Sequence, residues 1–575
     1  MDVSPRRELF EQLSTLVLIC VGSIGLVLAG CGGGEEERKP AGPGQECDSS
    51  RDKPCEDGFV CQPDGEGTDR CQKPVGASCD PAADTNHCVA GTDCFDVPVE
   101  DGGADAGDAG STGDTGTSET EGRCLVTEGG ECNAEDPQCA PNLSCAEKQD
   151  GSHACFPPVY IEGDVRDSTN DEPIAGAHVI ALDEVKVAVT DVAVSDEDGS
   201  YQLEYPVVRN DDGSPVDKSL TLRADAQDYQ TFPSGLRQAL PLNTSDATDE
   251  ERGWVIDESP TDIILIPLPE DAQGNASISG SILADENSAG VLVVAEGNGS
   301  AFSAVSDRVG NYTIFNVPSG SYDVRGYAAG LQLTPAQAEM ADEDLTDVDL
   351  ETSGEALSTV SGSVNIVDAP GGSQTSVVLV VESTFDEEFV RGEVPPGLRA
   401  PESGPPDVES GFTIEDVPNG DYVVLAAFEN DELVRDPDEN IAGTGFVRIS
   451  VPDGGSRDVT LPETFKVTEA LDVITPGAER PEAVSSAPTL TWADDSSEEY
   501  YTLEVYNAYG DKVWPSDPDY QVPGVSGSDQ VTVDYQGPME SGMYYQFRAT
   551  SWRAPGGNAA PISTTEDLLG VFYVE

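Results

Sequence analysis

Twelve of the 14 cysteines in this 575-residue chain lie between Cys47 and Cys155. In sequence order they form three groups of four, and in each group the second and third cysteines flank a turn, in CEDGFVC, CVAGTDC and CAPNLSC. Even numbers of cysteines at regular spacing predict disulfide bonds that replace a hydrophobic core. We therefore expect three disulfide repeats over residues 47–156. The cysteines are Cys47, Cys55, Cys61 and Cys71; Cys79, Cys88, Cys94 and Cys124; and Cys132, Cys139, Cys145 and Cys155.

Zinc is the alternative ligand for these cysteines, but the spacing is not CxxC and only His87 and His153 lie nearby. The groups resemble short cysteine-rich repeats of exported bacterial and animal proteins, similar to the dickkopf or colipase pattern. With that resemblance we expect first-to-third and second-to-fourth pairing. An acidic, glycine-rich insert at about 100–122 interrupts the second group, and we expect a disordered loop there. Its aspartates do not form an EF-hand calcium loop.

The amino terminus has an apolar segment from about Leu13 to Ala29 that follows Arg6 and Arg7 and ends at LAGC. It contains serine, threonine and glycine, so it falls short of the roughly 20 apolar residues that a spanning helix needs. The pattern predicts a signal peptide over residues 1–30. LAGC resembles the lipobox of bacterial lipoproteins, which implies that Cys31 becomes the first mature residue and carries the lipid. An ordinary cleaved signal with a chance cysteine is the alternative.

Residues 31–46 are rich in glycine, proline and charge and are expected to be a flexible tether. Two or more acyl chains hold a protein on a bilayer where one chain would not. The residue after the cysteine is Gly32 and not an aspartate, which implies the outer membrane for lipoproteins of two-membrane bacteria. We therefore expect a lipid-anchored protein of the cell envelope whose anchor binds the membrane.

The chain carries 29 basic and 109 acidic residues, a formal charge of −80 that is spread along its length. Such a surface repels the phosphates of nucleic acids, so nucleic acid is excluded as a partner. A hydrophobic content of 37% is low for one large core, whereas 575 residues suggest roughly four or five domains. Several small modules satisfy both observations, and we expect mutual repulsion to keep them apart.

Beyond residue 156 the cysteines end and apolar residues alternate. VYIEGDVRD from Val159, ASISGSILAD from Ala276 and STVSGSVNIVD from Ser358 share a glycine two positions before an aliphatic residue. GNYTIFNVPSGSYDVRGYA from Gly310 aligns with SGFTIEDVPNGDYVVLAAF from Ser410. Period-two alternation predicts strands with one buried face, and the Pro-x-Gly steps predict turns between them.

These segments resemble carboxypeptidase regulatory-like domains, which are seven-stranded, transthyretin-like and non-catalytic. IAGAHVIALD, from Ile174, carries the family's Gly-Ala-x-Val strand, which the later copies lack. The resemblance implies sandwiches at 157–270, 271–353 and 354–464. At Asp196 and Asp198, before Gly199, a hairpin turn is favoured over a calcium site.

The last segment, 465–575, has a different pattern. It resembles a fibronectin type III domain, through Trp492 in APTLTWADD and Tyr545 in SGMYYQFRATSW. The resemblance implies a sandwich with Trp492 on the second strand and Tyr545 at the tyrosine corner. Alternation in EEYYTLEVYNAYGDKVW predicts Tyr501, Leu503 and Val505 in the core, with Tyr500, Tyr506, Tyr544 and Trp552 partly exposed. The predicted fold class is mainly β: tandem antiparallel β-sandwiches preceded by small disulfide-rich repeats.

Residues for catalysis are scarce. The three histidines, His87, His153 and His178, fall in separate modules, which leaves little material for a histidine-dependent nucleophile. No GxSxG, HExxH or GxxxxGK[ST] motif occurs, and carboxylates are too abundant to single out a glycosidase pair. We therefore predict no enzyme activity, no catalytic residue, no cofactor and no metal site.

Two functions remain. In the first, the chain is a surface lipoprotein with a structural, adhesive or protein-binding role towards an unidentified extracellular or periplasmic protein. In the second, aromatic residues of the last module stack on the sugar rings of a glycan; the candidates are Trp514, Tyr520, Tyr544 and Trp552. A coplanar row of three exposed rings would favour the second function, and scattered or buried rings would remove it.

Overall fold

The computed structural model describes residues 39–574, except 49–52, 65, 84, 86, 99–119, 135, 285–287, 298, 388–389, 428–430, 439–444, 453–457, 526–528 and 555–557. The described residues form 42 strands and four 3₁₀ helices, at Thr244–Asp246, Ser259–Thr261, Glu270–Ala272 and Glu382–Thr384. The predicted fold class, mainly β with disulfide-rich repeats in front of sandwiches, is confirmed. Within this part of the chain, none of the helices is long and apolar enough to cross a membrane.

Each disulfide repeat is built around one antiparallel hairpin. The hairpin places the third cysteine of the group directly opposite the fourth, as in Cys61 opposite Cys71. The strands are β1 (Val60–Pro63), β2 (Asp69–Gln72), β3 (Ser78–Cys79), β4 (Thr92–Pro98), β5 (Thr120–Val126), β6 (Ser144–Glu147) and β7 (His153–Phe156).

Two expectations for this region need correction. Residues 120–122, expected in the disordered insert, belong to β5 and pair with residues 96–98, because the ladder continues past the cysteines; residues 99–119 lie outside the described part. Ala41, expected in the flexible tether, is buried, and its N–H donates to the Pro54 carbonyl at 2.8 Å. The described end of the tether therefore packs against the first repeat.

Four sandwiches follow. The first contains β8 (Val159–Asp167), β9 (His178–Leu182), β10 (Ala193–Val194), β11 (Ser200–Glu204), β12 (Ser219–Asp225), β13 (Leu242–Asn243), β14 (Thr248–Glu250), β15 (Gly253–Ile256) and β16 (Ile263–Leu265). The second contains β17 (Ala276–Leu283), β18 (Leu292–Gly297), β19 (Ser300–Val305), β20 (Asn311–Val317), β21 (Gly320–Tyr327), β22 (Ala336–Met340) and β23 (Leu350–Glu351).

The third sandwich contains β24 (Ser358–Val367), β25 (Val377–Val381), β26 (Arg399–Ala400), β27 (Gly411–Val417), β28 (Gly420–Ala426), β29 (Leu433–Arg435), β30 (Val447–Val451), β31 (Asp458–Thr460) and β32 (Phe465–Glu469). The fourth contains β33 (Val473–Thr475), β34 (Glu482–Val484), β35 (Thr489–Ala493), β36 (Tyr500–Asn507), β37 (Lys512–Trp514), β38 (Gln521–Pro523), β39 (Gln530–Asp534), β40 (Tyr544–Arg553), β41 (Ala560–Thr564) and β42 (Val571–Val574).

The first three sandwiches share one topology, in agreement with the internal repeat of the sequence. In each, the opening strand has an antiparallel partner on one side and pairs in parallel with the closing strand. The opening strands β8, β17 and β24 pair antiparallel with β11, β20 and β27, and parallel with β16, β23 and β32. The facing sheets have the equivalent orders β10-β9-β12-β13, β19-β18-β21-β22 and β26-β25-β28-β30. Alternating side chains from the two sheets fill the core of each sandwich, and Leu292, Val294 and Tyr327 of the second sandwich extend the core of the third.

The glycine shared by the three opening strands lies opposite an aromatic residue. Gly280 pairs with Tyr312, whose hydroxyl donates to the Val348 carbonyl. A β-carbon on Gly280 would overlap that carbonyl oxygen. The first sandwich repeats the arrangement, and the third has Phe412 at the tyrosine position. The glycine is therefore required where the backbone of the closing segment crosses the opening strand.

The third and fourth sandwiches meet at a boundary that differs from the expected one. Residues 465–469, expected in the last module, form β32, which pairs in parallel with β24 of the third sandwich. Phe465 is buried in the core of that sandwich. The long-range pairing of β32 assigns these residues to the third sandwich.

The contact between the first and second sandwiches recurs between the second and third. The N–H of Asp228 donates to Asn316 Oδ1 at 2.7 Å, and the N–H of Gly330 donates to the Asp416 carbonyl at 2.9 Å. All four residues have positive φ. Since Asn316 and Asp416 occupy the same irregular position near the ends of β20 and β27, the repeated sequence produces a repeated interface.

The fourth sandwich contacts both the third and the first. The hydroxyl of Tyr509 donates to the Pro267 carbonyl at 2.8 Å, and the Arg237 guanidinium lies 5.0 Å from the Tyr544 ring centre. Towards the third sandwich, Arg391 Nη2 donates to the Asp567 carbonyl at 2.5 Å. The four sandwiches therefore contact one another, although we expected electrostatic repulsion to keep them apart.

A buried arginine joins three of these sandwiches. Arg223 on β12 contacts Asp225 Oδ2 at 3.0 Å, Glu393 Oε1 of the third sandwich at 3.2 Å and Ser303 Oγ of the second at 3.3 Å. Its side chain is 5% exposed. Buried cations such as Arg223 bridge the carboxylates of the sandwiches. The sandwiches can therefore associate despite the charge of −80.

Candidate functional site

The predicted disulfide bonding of the twelve cysteines is confirmed. In every group the first cysteine bonds the third and the second bonds the fourth, at Cα–Cα distances of 5.5–6.0 Å. Three sulfur atoms of each group lie within 4.8 Å of one another, yet all of them are in disulfides and offer no thiolate to zinc. The bonds are Cys47–Cys61, Cys55–Cys71, Cys79–Cys94, Cys88–Cys124, Cys132–Cys145 and Cys139–Cys155.

Cys31, the predicted lipid attachment residue, lies outside the described residues, as does the predicted signal peptide. Lipidation therefore stays a prediction from the sequence.

The histidines do not come together. His178 on β9 packs edge-to-face against Phe315 of the second sandwich, with ring centres 4.9 Å apart, and its burial lowers its pKa. His153 is on β7, in the third disulfide repeat, and His87 immediately precedes Cys88 of the second. The structure uses His178 as a packing residue at the contact between two sandwiches.

The turn at Asp196 connects β10 to β11, which belong to different sheets, so it is a tight turn and not the expected hairpin. Gly199 has a φ of +85°, and the N–H of Asp198 donates to Asp196 Oδ1 at 3.3 Å. These are the contacts of an aspartate turn between β10 and β11.

The fourth sandwich has the expected division of aromatic residues between core and surface, with one exception. Trp492, Tyr501, Leu503 and Val505 are in the core, and the hydroxyl of Tyr545 accepts from the N–H of Glu540 at 3.1 Å. Tyr506, expected to be partly exposed, is buried, because Leu236 of the first sandwich and Tyr544 pack against it. The strand alternation decides which face a residue occupies, whereas the neighbouring sandwich decides whether that face is covered.

The outward face of β36 and β40 carries a cavity near these aromatic residues. Three cross-strand pairs lie on this face: Tyr500 with Trp552, Thr502 with Thr550, and Glu504 with Arg548. The loop between β37 and β38 and Pro437 of the third sandwich form the walls. The cavity volume is about 510 Å³, and its lining includes Pro437, Thr502, Glu504, Lys512, Asp517, Tyr520, Thr550 and Trp552.

The Trp552 ring is held in one orientation. Its Nε1 donates to Thr502 Oγ1 at 2.9 Å, and its ring is parallel to that of Tyr500 within 5°, with centres 6.0 Å apart. The indole nitrogen therefore has a partner on the strand, and the remaining indole surface lines the cavity.

The Glu504 carboxylate is held in a similar way. Lys512 Nζ donates to Glu504 Oε1 at 2.6 Å, and the Tyr506 hydroxyl donates to Oε2 at 3.0 Å. Each oxygen keeps a lone pair for a further donor. The ion pair presents an acceptor and a donor side by side at the cavity wall.

A second cavity of about 280 Å³ lies beside the first and shares Pro437, Glu504 and Thr550 with it. Arg548 and Asp567, 3.6 Å apart, are part of its lining. Burial raises the pKa of Asp567, which the guanidinium groups of Arg548, Arg391 and Arg435 offset only in part. This second cavity is therefore the charged side of the contact between the third and fourth sandwiches.

Two of the four aromatic residues predicted to contact a glycan reach the larger cavity. Trp552 and Tyr520 line it. Trp514 packs against Tyr535, and Tyr544 lies under Arg237 and against Tyr573. The expected row of three rings is therefore not formed by these four residues. Sequence analysis missed Thr502, Glu504 and Lys512; the alternation of EEYYTLEVYN contained the signal for the first two.

No protein-family model and no curated protein matches the chain. Among solved structures, the Bacillus anthracis TIE protein is similar over 72% of this chain and 73% of its own, with 11% identity and a TM-score of 0.13. BcpA, the major pilin subunit of Bacillus cereus, matches 54% of this chain and 99% of its own, with 9% identity and a TM-score of 0.14. A DUF3823 family protein from Parabacteroides merdae matches 38% and 100%, with 13% identity and a TM-score of 0.14. Similarities at these TM-scores support no conclusion about the function of this chain.

Proposed function

We propose that the chain is a surface lipoprotein, anchored in the outer membrane through Cys31, with a non-catalytic structural, adhesive or protein-binding role. The observation that carries the proposal is the series of three disulfide repeats leading into four sandwiches that contact one another. Six disulfides persist in an oxidising compartment, which favours export. The LAGC sequence supplies the attachment point.

The role in this proposal is that of a spacer that presents a rigid group of sandwiches. Serial disulfides restrict the unfolded state of small repeats, each closing a loop of 13 to 36 residues. The sandwiches are joined by side-chain hydrogen bonds and a buried arginine, so together they present a larger fixed surface than any one sandwich does.

Mass spectrometry of the mature amino terminus tests the anchor. We expect an acylated Cys31 in the membrane fraction and release of a Cys31→Ser variant into the soluble fraction. An unmodified amino terminus, or recovery from the cytosol with reduced cysteines, would contradict the proposal.

Protease treatment of intact cells then tests the exposed face. Loss of the sandwiches from intact cells supports a role towards extracellular partners. Protection of the sandwiches in intact cells, with cleavage after permeabilisation, would contradict surface exposure and place the partner in the periplasm.

Binding of a single sugar unit at Trp552, without the predicted row of three rings, is the second candidate function. The observation that favours it is that Trp552, one of the predicted aromatic residues, lines a cavity of about 510 Å³ with its ring fixed in place. Binding of the full chain to immobilised polysaccharides tests this function.

A further inference from the structure

The cavity over Trp552 has the size of a small-molecule site, and its lining is more polar than apolar. Its volume of about 510 Å³ falls within the range of roughly 300–1,000 Å³ typical of ligand pockets. One aromatic surface and a few fixed polar groups, which such sites combine, are both present here.

The groups that would contact a ligand are held before it arrives. Trp552 is fixed by Thr502 and Tyr500, and Glu504 is fixed by Lys512 and Tyr506. Side chains that already occupy one conformation lose little entropy on binding. Trp552 and Glu504 stand on two adjacent strands and are preorganised there. A binding site requires such preorganisation, whereas a structural surface does not.

The charges of the lining argue against an ionic ligand. The larger cavity has two carboxylates, Glu504 and Asp517, and one ammonium group, Lys512, in a chain of net charge −80. An anion would meet this negative potential. A cation that approached the Glu504 carboxylate would be repelled by the Lys512 ammonium group beside it.

A neutral ring with several hydroxyl groups satisfies all of these constraints. Each hydroxyl both donates and accepts, so it can donate to Glu504 and accept from Lys512. The hydroxyls of Thr502 and Thr550 extend the same mixed surface, and the Trp552 ring offers an apolar face for the C–H groups of a sugar.

We propose that the cavity formed by Trp552, Tyr520, Glu504 and Lys512 binds a neutral sugar unit of a glycan, with Trp552 as the stacking surface and the Glu504–Lys512 pair as the hydrogen-bonding group. This inference rests on the second candidate function and names its site and ligand class. The site requires the third and fourth sandwiches together, because Pro437 forms one wall.

Affinity electrophoresis of the full chain in gels that contain a β-glucan, a mannan or a galactan tests the site, with polygalacturonate as the acidic comparison. We expect retardation by at least one neutral polysaccharide. Trp552→Ala should weaken it at least about tenfold, as for a central aromatic contact, and Glu504→Gln should weaken it less. Trp552→Phe, which keeps a ring, should recover part of the binding.

Trp254→Ala is the matched control, because Trp254 is a half-buried tryptophan of the first sandwich outside the cavity. It should leave retardation unchanged, and thermal unfolding of each variant shows that the fold is retained. Retardation that survives Trp552→Ala would overturn this site and leave glycan binding by another surface standing. Retardation by polygalacturonate alone would overturn the neutral ligand class. Retardation by none of the polysaccharides would overturn both this inference and the second candidate function.

Discussion

Asn316 shows how a single residue can join two sandwiches. Its side-chain amide donates to the carbonyls of Ala226 and Tyr229, and its Oδ1 accepts from the N–H of Asp228. Asp416, at the equivalent position of β27 in the third sandwich, contributes its backbone carbonyl to the contact with Gly330. Comparing Asn316 with Asp416 therefore distinguishes the contribution of the side chain from that of the backbone at one type of interface.

We expect Asn316→Ala to destabilise the contact between the first and second sandwiches by about 1–3 kcal/mol, because buried polar groups lose their partners. Asp416→Ala is the matched control: both residues have positive φ, so the backbone strain of alanine is the same. Hydrogen exchange at the Asp228 amide measures the effect. Equal exchange rates in the two variants would contradict the assigned role of the Asn316 side chain.

Gly280 gives a second test at this scale. Gly280→Ala should destabilise the second sandwich by about 1–3 kcal/mol, since the new methyl group meets the Val348 carbonyl. At Gly362 the methyl group would meet the side chains of Leu461 and Phe412, which can move. Chemical unfolding should therefore show a smaller loss for Gly362→Ala, and the reverse order would contradict the backbone-crossing explanation.

At the scale of elements, the loop of residues 565–570 connects β41 to β42 and touches three sandwiches. Gln546 holds it from within the fourth sandwich, donating to the Asp567 and Leu569 carbonyls at 2.8 and 2.7 Å. Gln238 of the first sandwich donates to the Leu568 carbonyl at 3.2 Å. The loop therefore couples the contacts that the fourth sandwich makes with its two neighbours.

The Glu566 carboxyl in this loop responds to pH. It is 5% exposed, and its Oε1 accepts from the N–H of Glu432 at 2.8 Å. Burial raises its pKa to about 7, the Glu432 hydrogen bond lowers it, and the charges of Asp431, Asp567 and Glu432 raise it. The guanidinium groups of Arg391, Arg435 and Arg548 face the neighbouring Asp567.

The contact between the third and fourth sandwiches should therefore weaken as the pH rises. The folded state binds the Glu566 proton more tightly than the unfolded state, whose pKa is about 4.5, so stability falls between about pH 4.5 and 7. The opening equilibrium should rise by at most about tenfold per pH unit in this window. Hydrogen exchange at the Glu432 amide measures it.

Glu566→Gln should reduce this pH dependence, because an amide does not titrate and only the Asp567 carboxyl of the loop then responds. Glu432→Gln is the comparison: its backbone donor stays, but one of the charges that raise the Glu566 pKa is removed, so the pH dependence should move to lower pH without disappearing. A Glu566→Gln variant with the pH profile of the parent chain would contradict the assignment.

At the scale of the whole molecule, Arg223 links the first three sandwiches. Arg223→Met should destabilise the assembly by about 3–5 kcal/mol, because Asp225 and Glu393 lose the cation that compensates them. Adding Glu393→Gln should recover part of the loss. Urea unfolding measures stability, and small-angle scattering shows whether the sandwiches separate.

Arg252→Met is the control for Arg223. Arg252 also lies in the first sandwich, but it is 49% exposed in its pairs with Glu162 and Glu250, so the loss should stay within about 1 kcal/mol. Similar losses for the two variants would contradict the role of burial.

The assembly of the four sandwiches also limits what the pattern of a single strand can predict. Alternation in EEYYTLEVYN correctly separated Tyr501, Leu503 and Val505 from the outward face. It could not show that Leu236, far away in the chain, covers Tyr506. Nor could it place Pro437 of another sandwich against Trp552, which makes the cavity.

Cysteine spacing, period-two alternation and turn residues predicted the disulfide region, the strands and the turns, because these signals act over a few positions of the chain. The tertiary structure decided that β32 belongs to the third sandwich, that the sandwiches contact one another, and where the cavity lies. These features depend on strand pairs and side-chain contacts between residues about 100 or more positions apart. No local pattern specifies such contacts, since they form only when complementary surfaces from distant segments meet.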